Sequence, residues 1–300
     1  MDLFQVKGTK LSPLQTVVPK LEREIQRLLE ANLEAVFGMR LVASEYATGQ
    51  KHAGRIDTLG LDENNTPVII EYKLKSSVNI VVQALFYLDW LLDHKGDFEI
   101  LVHKRLGSEV PVDWTSPRVL CVADSFAYYD VQAVGQMKGN IQLVEYKRFE
   151  SEVLAISLLG GGERGRTGAK PGPSPSTLAT YSVERHLSRG TPPIREIAER
   201  LRQYLLDLGE DVSEGPVQDY IAYRTTRNVC CLEVHKEHVL LYLTLDPSLG
   251  EGCPLCRDVT SIGHYGTGNL EVRVRVVEDI PPAERLIDLA YKELSHPVSA

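Results

Sequence analysis

A chain of 300 residues with 43% hydrophobic and 25% charged side chains carries enough apolar material for one large or two medium cores. No apolar run reaches the roughly 18 residues of a membrane span, and Met1–Lys7 lacks the apolar core of a signal peptide, so the expected compartment is the cytoplasm and no membrane partner is expected. A formal net charge of −8 argues against coating of nucleic acid by the whole surface, while a local basic groove stays open. The five cysteines, an odd number, do not read as a disulfide scaffold.

In chain order, residues 1–18 read as an extended leader with a short strand at Leu3–Val6. Pro19 then opens a helix to about Phe37, with Leu21, Ile25, Leu28, Leu29, Leu33 and Val36 on one stripe and Gly38 as its stop. Glu24 falls at the edge of that stripe, whereas Glu30 points nearly opposite it. A strand over Met39–Glu45 follows and ends on Glu45. The polar segment Ala47–Ala53, with Lys51 and His52, suits a loop approaching a phosphate backbone, although an exposed loop histidine needs no such role.

Two strands come next, Ile56–Leu61 and Pro67–Leu74, around the turn residues Asp62–Thr66. A hairpin symmetric about Asn64 places Asp57 opposite Glu71. Glu71 and Lys73 share one face, and Ile70 and Tyr72 share the other. Opposed residues lie about 4.5–5.5 Å apart at Cβ, and two carboxylates so close repel each other unless a proton or a metal ion sits between them. Asp, Glu and Lys around a divalent cation suit hydrolysis of a phosphodiester. A solvated salt-bridge face is the plain alternative, but Val68-Ile69-Ile70 reads as a buried strand, where charges seldom go without a partner.

An acid, a gap, then acid-x-Lys on the next strand resembles the PD-(D/E)XK nuclease superfamily. Asp57 matches the first acid and Glu71-Tyr72-Lys73 the acid-x-Lys; Ile56 stands where the name-giving form has proline. The wording Gly54-Arg55-Ile56-Asp57, then Glu71-Tyr72-Lys73, then Gln83 and Tyr87 four apart, is most similar to the NucS-type and RecB-type branch. The resemblance implies that Asp57 and Glu71 bind Mg²⁺ or Mn²⁺, that Lys73 and Gln83 act beside them, and that one more acid, Glu24 or Glu45, completes the site. It also implies DNA as the partner, RNA not being excluded, with Gln83 and Tyr87 on Lys73 or a DNA phosphate. Lys51, Arg55 and Lys75, clustered in sequence around the site, are the basic residues expected at its rim on the nucleic acid.

Beyond the hairpin, Ser76–Asp93 reads as a helix with Val78, Val81, Val82, Leu85, Leu88 and Leu92 inward. Phe98–His103 and Val119–Ala123 read as strands, Ser125–Met137 as a helix and Ile141–Tyr146 as a strand. The expected fold is an α/β nuclease core over residues 1–159, a mixed β-sheet flanked by helices. A Gly/Pro/Ser-rich linker at 160–180 then leads to a smaller α+β unit at 181–300. That unit starts with a helix, Ile194–Leu208. Strands at Tyr220–Thr225, Val229–His235, His238–Leu245 and Leu270–Val277 follow, with a closing helix at Pro281–Leu294. Tyr220-Ile-Ala-Tyr223, the glycine-rich stretch Ile262–Gly268 and Ala290-Tyr291 resemble a domain of unknown function sometimes found after such nuclease domains. Cys253-Pro-Leu-Cys256 has zinc-knuckle spacing, but the vicinal Cys230-Cys231 is a poor second ligand pair, and plain thiols are expected.

The reading that follows is a metal-dependent DNA endonuclease of repair or defence, with a homodimer suited to double-strand cutting. The rival is a nuclease fold that binds nucleic acid or protein without cutting. A third, chemistry located in the C-terminal unit, lacks a nucleophile or acid–base cluster there.

Overall fold

The computed structural model describes residues 3–49, 54–74, 80–136, 141–159, 181–209 and 211–295; the expected linker lies outside them. Strands β1 (Phe4–Lys7) and β2 (Lys10–Pro13) form an exposed hairpin, followed by α1 (Glu22–Glu30) and α2 (Leu33–Phe37). A mixed six-stranded sheet then takes its strands in chain order: β3 (Arg40–Ala47), β4 (Arg55–Leu61), β5 (Pro67–Lys73), β6 (Arg118–Ala123), β7 (Ile141–Phe149) and β8 (Val153–Leu159). The pairs β5–β6 and β6–β7 are parallel and the others antiparallel. Parallel neighbours need long crossovers, and these are α3 (Ile80–Asp93) with α4 (Lys95–Leu106), and α5 (Tyr128–Gln136).

Helices cover both faces. Ile25, Leu29, Leu33 and Phe37 pack on Val68, Ile70, Tyr72 and Val122; Val81, Ala84, Trp90, Phe98 and Val102 pack on Leu59, Ile69, Val119 and Cys121. A central strand enclosed on both sides is why Val68-Ile69-Ile70 is uninterrupted apolar sequence.

The second half holds α6 (Val183–Leu187), α7 (Pro192–Asp207), β9 (Ser213–Pro216), β10 (Ile221–Arg224), β11 (Asn228–Val234), β12 (Val239–Leu243), β13 (Cys256–Asp258), β14 (Leu270–Val274) and α8 (Ile280–Ser295). Its six strands form an antiparallel sheet in the order β13-β14-β12-β11-β10-β9. Ile197, Leu201 and Leu205 of α7 and Ala283, Ile287 and Ala290 of α8 cover one face. Cys230 belongs to that core and Cys231 to the small cluster on the opposite face, so the vicinal pair is split across β11. No helix among the described residues is long and apolar enough to cross a membrane.

Several expectations need correction. Phe98–His103 is helical, inside α4: Phe98 and Val102, four apart, are buried while Ile100 is 66% exposed, a 3.6-residue period where a strand was read. The helix expected over Pro19–Phe37 breaks at Ala31–Asn32, where the Asn32 side-chain amide captures the Leu28 carbonyl at 2.8 Å; its expected stop, Gly38, does sit in the left-handed region at φ +63. On α3 the inward stripe is Val81, Ala84, Tyr87, Trp90 and Leu91, so Val82 and Leu85, read as inward, face out. Strands β9 and β13 and helix α6 carry too few residues to stand out in the sequence, whereas β8, Val-Leu-Ala-Ile-Ser-Leu-Leu, is an apolar run that the expected elements do not include.

Trp90 ties α3 to the approach to the site hairpin: it is buried, its Nε1–H donates to the Thr48 carbonyl at 3.1 Å, and its ring lies 5.4 Å from Tyr46. Trp90→Ala is expected to cost about 3–5 kcal/mol, read as a lowered urea midpoint with an unchanged denaturant slope.

Candidate active site

The hairpin has the expected register, Thr58 with Ile70 through Leu61 with Pro67. At Asp57 and Glu71 the backbone ladder gives way to side chains. The Asp57 N–H donates to Glu71 Oε1 at 3.3 Å, and the Tyr72 N–H donates to Asp57 Oδ2 at 3.1 Å. On the other edge of β4 the pairing passes from Ser44–Thr58 to Tyr46–Ile56, and Glu45, at the position between, has a φ of +53. Asp57 therefore stands at a gap in the pairing on both sides of β4, with no change of register, and its backbone N–H and carbonyl take side-chain partners.

Glu71 is fully buried, and its Oε2 has no hydrogen-bond partner. Burial first, then the Asp57 carboxylate, push its pKa up to about 9, with Lys73 opposing. Asp57 is also pushed up, chiefly by burial, against the Tyr72 N–H and Lys73, which pull it down. The Lys73 side chain is 22% exposed and pairs with Glu22 at 3.5 Å. This donor set fits a hard divalent cation: two near carboxylates, one with a buried, unpartnered oxygen, are short of one positive charge. Among the described residues no group of three or more His, Cys, Asp or Glu is spaced to hold a metal. Two carboxylates alone suit a cation that keeps most of its shell as water, as Mg²⁺ does.

The other expected residues divide. Glu45 is adjacent: it pairs with Arg55 at 2.8 Å and with Arg23 at 3.7 Å, and its charge helps raise Asp57. Arg55 is held at both ends, its side chain on Glu45 and its N–H donating to the Tyr87 hydroxyl at 3.2 Å. Tyr87 itself is buried, with its ring against Gly54 where a Cβ would stand at 2.8 Å, so its observed contact is with the start of β4. Gln83 is half-buried one turn earlier on α3. Glu24 is not brought in: it is exposed and accepts a hydrogen bond from the Lys20 N–H at 3.4 Å. Lys51, His52 and Lys75 lie outside the described residues.

Helix α1 instead offers Glu22, Gln26 and Glu30, each four residues from the next and so on one edge. Glu22 pairs with Lys73. The buried Gln26 amide donates to the Asp57 carbonyl at 3.1 Å and to Glu30 Oε1 at 3.1 Å, and Glu30 also accepts from the Thr58 hydroxyl. Leu21 and Leu28, part of the expected apolar stripe and on the Glu24 side of it, are 62% and 41% exposed; the buried face is Ile25, Gln26 and Leu29, which brings Glu22 to the site. The spacing of four from Glu22 was the available signal.

A carboxyl with a folded-state pKa above its unfolded value stabilises the fold while protonated, and that contribution is lost as pH rises toward the folded value. The metal-free protein is therefore expected to lose stability between pH 5 and about 9 through Glu71. Glu71→Gln, which keeps an acceptor for the Asp57 N–H, should melt higher than wild type at pH 8 and differ little at pH 5. Thermal melts in EDTA at both pH values measure this.

Residues 21–106 match the family model described as the endonuclease NucS C-terminal domain, and residues 183–293 match that of a domain of unknown function (DUF5655). A protein of Haemophilus influenzae (strain ATCC 51907 / DSM 11121 / KW20 / Rd), itself titled an uncharacterized protein, is 27% identical over 314 residues, 98% of this chain and all of that one. No solved structure matches. The segment that carries Asp57, Glu71 and Lys73 is thus similar to the C-terminal domain of the endonuclease NucS.

Proposed function

We propose that this protein is a metal-dependent endonuclease that hydrolyses phosphodiester bonds of DNA. The observation that carries the reading is the pairing of Asp57 with the buried Glu71, whose Oε2 is unpartnered, and with Lys73 two residues along the same strand. The match of residues 21–106 to an endonuclease domain supports it. Asp57 and Glu71 would hold Mg²⁺ or Mn²⁺, which would supply positive charge beside the phosphodiester and lower the pKa of a bound water. In this reading Lys73 Nζ orients the attacking water and donates to a non-bridging phosphate oxygen, where negative charge grows in the transition state. Glu22 holds the ammonium in place, and the Gln26 amide fixes the Asp57 backbone. Arg55, held on Glu45 with its side chain 62% exposed, meets the DNA backbone with Lys51 and Lys75, and Gln83 supports Lys73 from α3. Two copies acting together would serve double-strand cutting.

The test is cleavage of labelled single-stranded, duplex, branched and mismatched DNA with Mn²⁺, Mg²⁺ or EDTA. Wild type is expected to cut with metal and not with EDTA. Asp57→Ala, Glu71→Ala and Lys73→Ala should each lower the rate by about 10²-fold or more without lowering folded content by circular dichroism. Full activity in Glu71→Ala would remove this site from the reaction. Metal-independent DNA binding with no cutting of any substrate would leave only a binding role for the fold.

A further inference from the structure

The turn that closes the site hairpin is buried against the second sheet. Asp62 is 2% exposed. Its Oδ1 accepts from the N–H groups of Asn64 at 2.8 Å and Thr66 at 2.9 Å, which shapes the turn. Its Oδ2 faces two guanidiniums, Arg118 of β6 at 3.0 Å and Arg224 of β10 at 3.3 Å. Asn64 Oδ1 accepts from the Tyr220 hydroxyl at 2.9 Å and from the Asn228 amide at 2.7 Å. Glu63 accepts from the Asn228 N–H at 2.8 Å. A Cβ at Gly215 would collide with the Arg224 guanidinium, so β9 leaves the space that this side chain needs to reach Asp62.

Such contacts do not suit a loosely tethered accessory unit. The charges are removed from water, and a buried pair that loses one partner leaves an uncompensated charge. Turn geometry also sets the pairing register of a hairpin, and a slip of one residue turns every side chain to the other face. From Asp62 to Asp57 is five residues of β4, about 17 Å at the usual strand rise, with no flexible joint between.

We propose that the second sheet is a clamp for the hairpin carrying Asp57 and Glu71, with Arg224, Tyr220 and Asn228 as positioning residues that act through Asp62 and Asn64. The role given to the site rests on the nuclease reading; the clamp itself does not.

The test uses the full chain with Arg224→Met, Gly215→Ala and Tyr220→Phe, the last two keeping the experiment decisive if the first does not fold. Hydrogen exchange is followed at amides of the hairpin, and Mn²⁺ affinity by calorimetry. Exchange at Asn64, Thr66 and the Asp57–Tyr72 strands should quicken by roughly tenfold or more, while α7 and α8 keep wild-type protection. Mn²⁺ affinity should fall, and kcat should fall with KM for DNA unchanged. Arg224→Lys, which keeps the charge, should recover part of each loss. Quicker exchange confined to residues 213–228, with the hairpin and Mn²⁺ affinity as in wild type, would overturn the clamp. If wild type neither binds Mn²⁺ nor cuts DNA, the nuclease reading fails, and hairpin exchange alone still decides the clamp.

Discussion

A carboxylate removed from water beside a second carboxylate is the constraint on which the candidate site depends. Glu71 lies on a strand enclosed by helices on both faces, and its neighbour across the hairpin is Asp57. Burial and like charge act in the same direction, and the lysine on the same strand offsets them only in part. Either a proton or a cation must complete such a pair. The fold could have relieved the strain with a neutral residue at position 71 and the same register. Keeping an acid there costs stability, and costs of that kind concentrate at functional sites.

The surroundings consistently hold that pair in place. Asp57 is bonded through its N–H, its carbonyl and its carboxylate, to Glu71, Gln26 and Tyr72 in turn. Arg55, two residues earlier, is anchored by the Tyr87 hydroxyl. A regular ladder on either side of β4 would use these groups for sheet pairing. The interruption at Asp57, with Glu45 in the left-handed region, leaves these groups to side-chain partners instead.

At the far end of the same hairpin the polar groups of the turn face protein and not solvent. Asp62, Glu63 and Asn64 take their partners from Arg118, Arg224, Asn228 and Tyr220. Burial and the neighbouring Arg224 pull the Arg118 pKa down to about 10, against the Asp62 carboxylate, which raises it. Polar contacts in so dry a setting are costly when incomplete, so the two sheets are energetically joined through this turn. The hairpin is thereby fixed at its open end by α1 and α3 and at its closed end by the second sheet.

What the sequence determined by itself is local. The hairpin, its register and the opposition of Asp57 to Glu71 follow from the two-residue period of a strand and from turn residues that leave one symmetric pairing. The buried status of Glu71 follows from the unbroken apolar run before it. The tertiary structure alone decided three further points. Which acid of the first helix faces the site depended on which of its residues found the core: Gln26 is buried with Ile25 and Leu29 while Leu21 and Leu28 stay exposed, and that face carries Glu22, not Glu24. Whether Phe98–His103 is strand or helix depended on which of its apolar residues found a core, and Phe98 and Val102 did. The role of Asp62 and Asn64 was hidden because a turn residue exposed to water and one buried against Arg224 or Asn228 have the same local sequence; their partners lie 162 and 164 residues away. Periodicity reports which face of an element is apolar, while long-range pairing is set by where the elements come to lie.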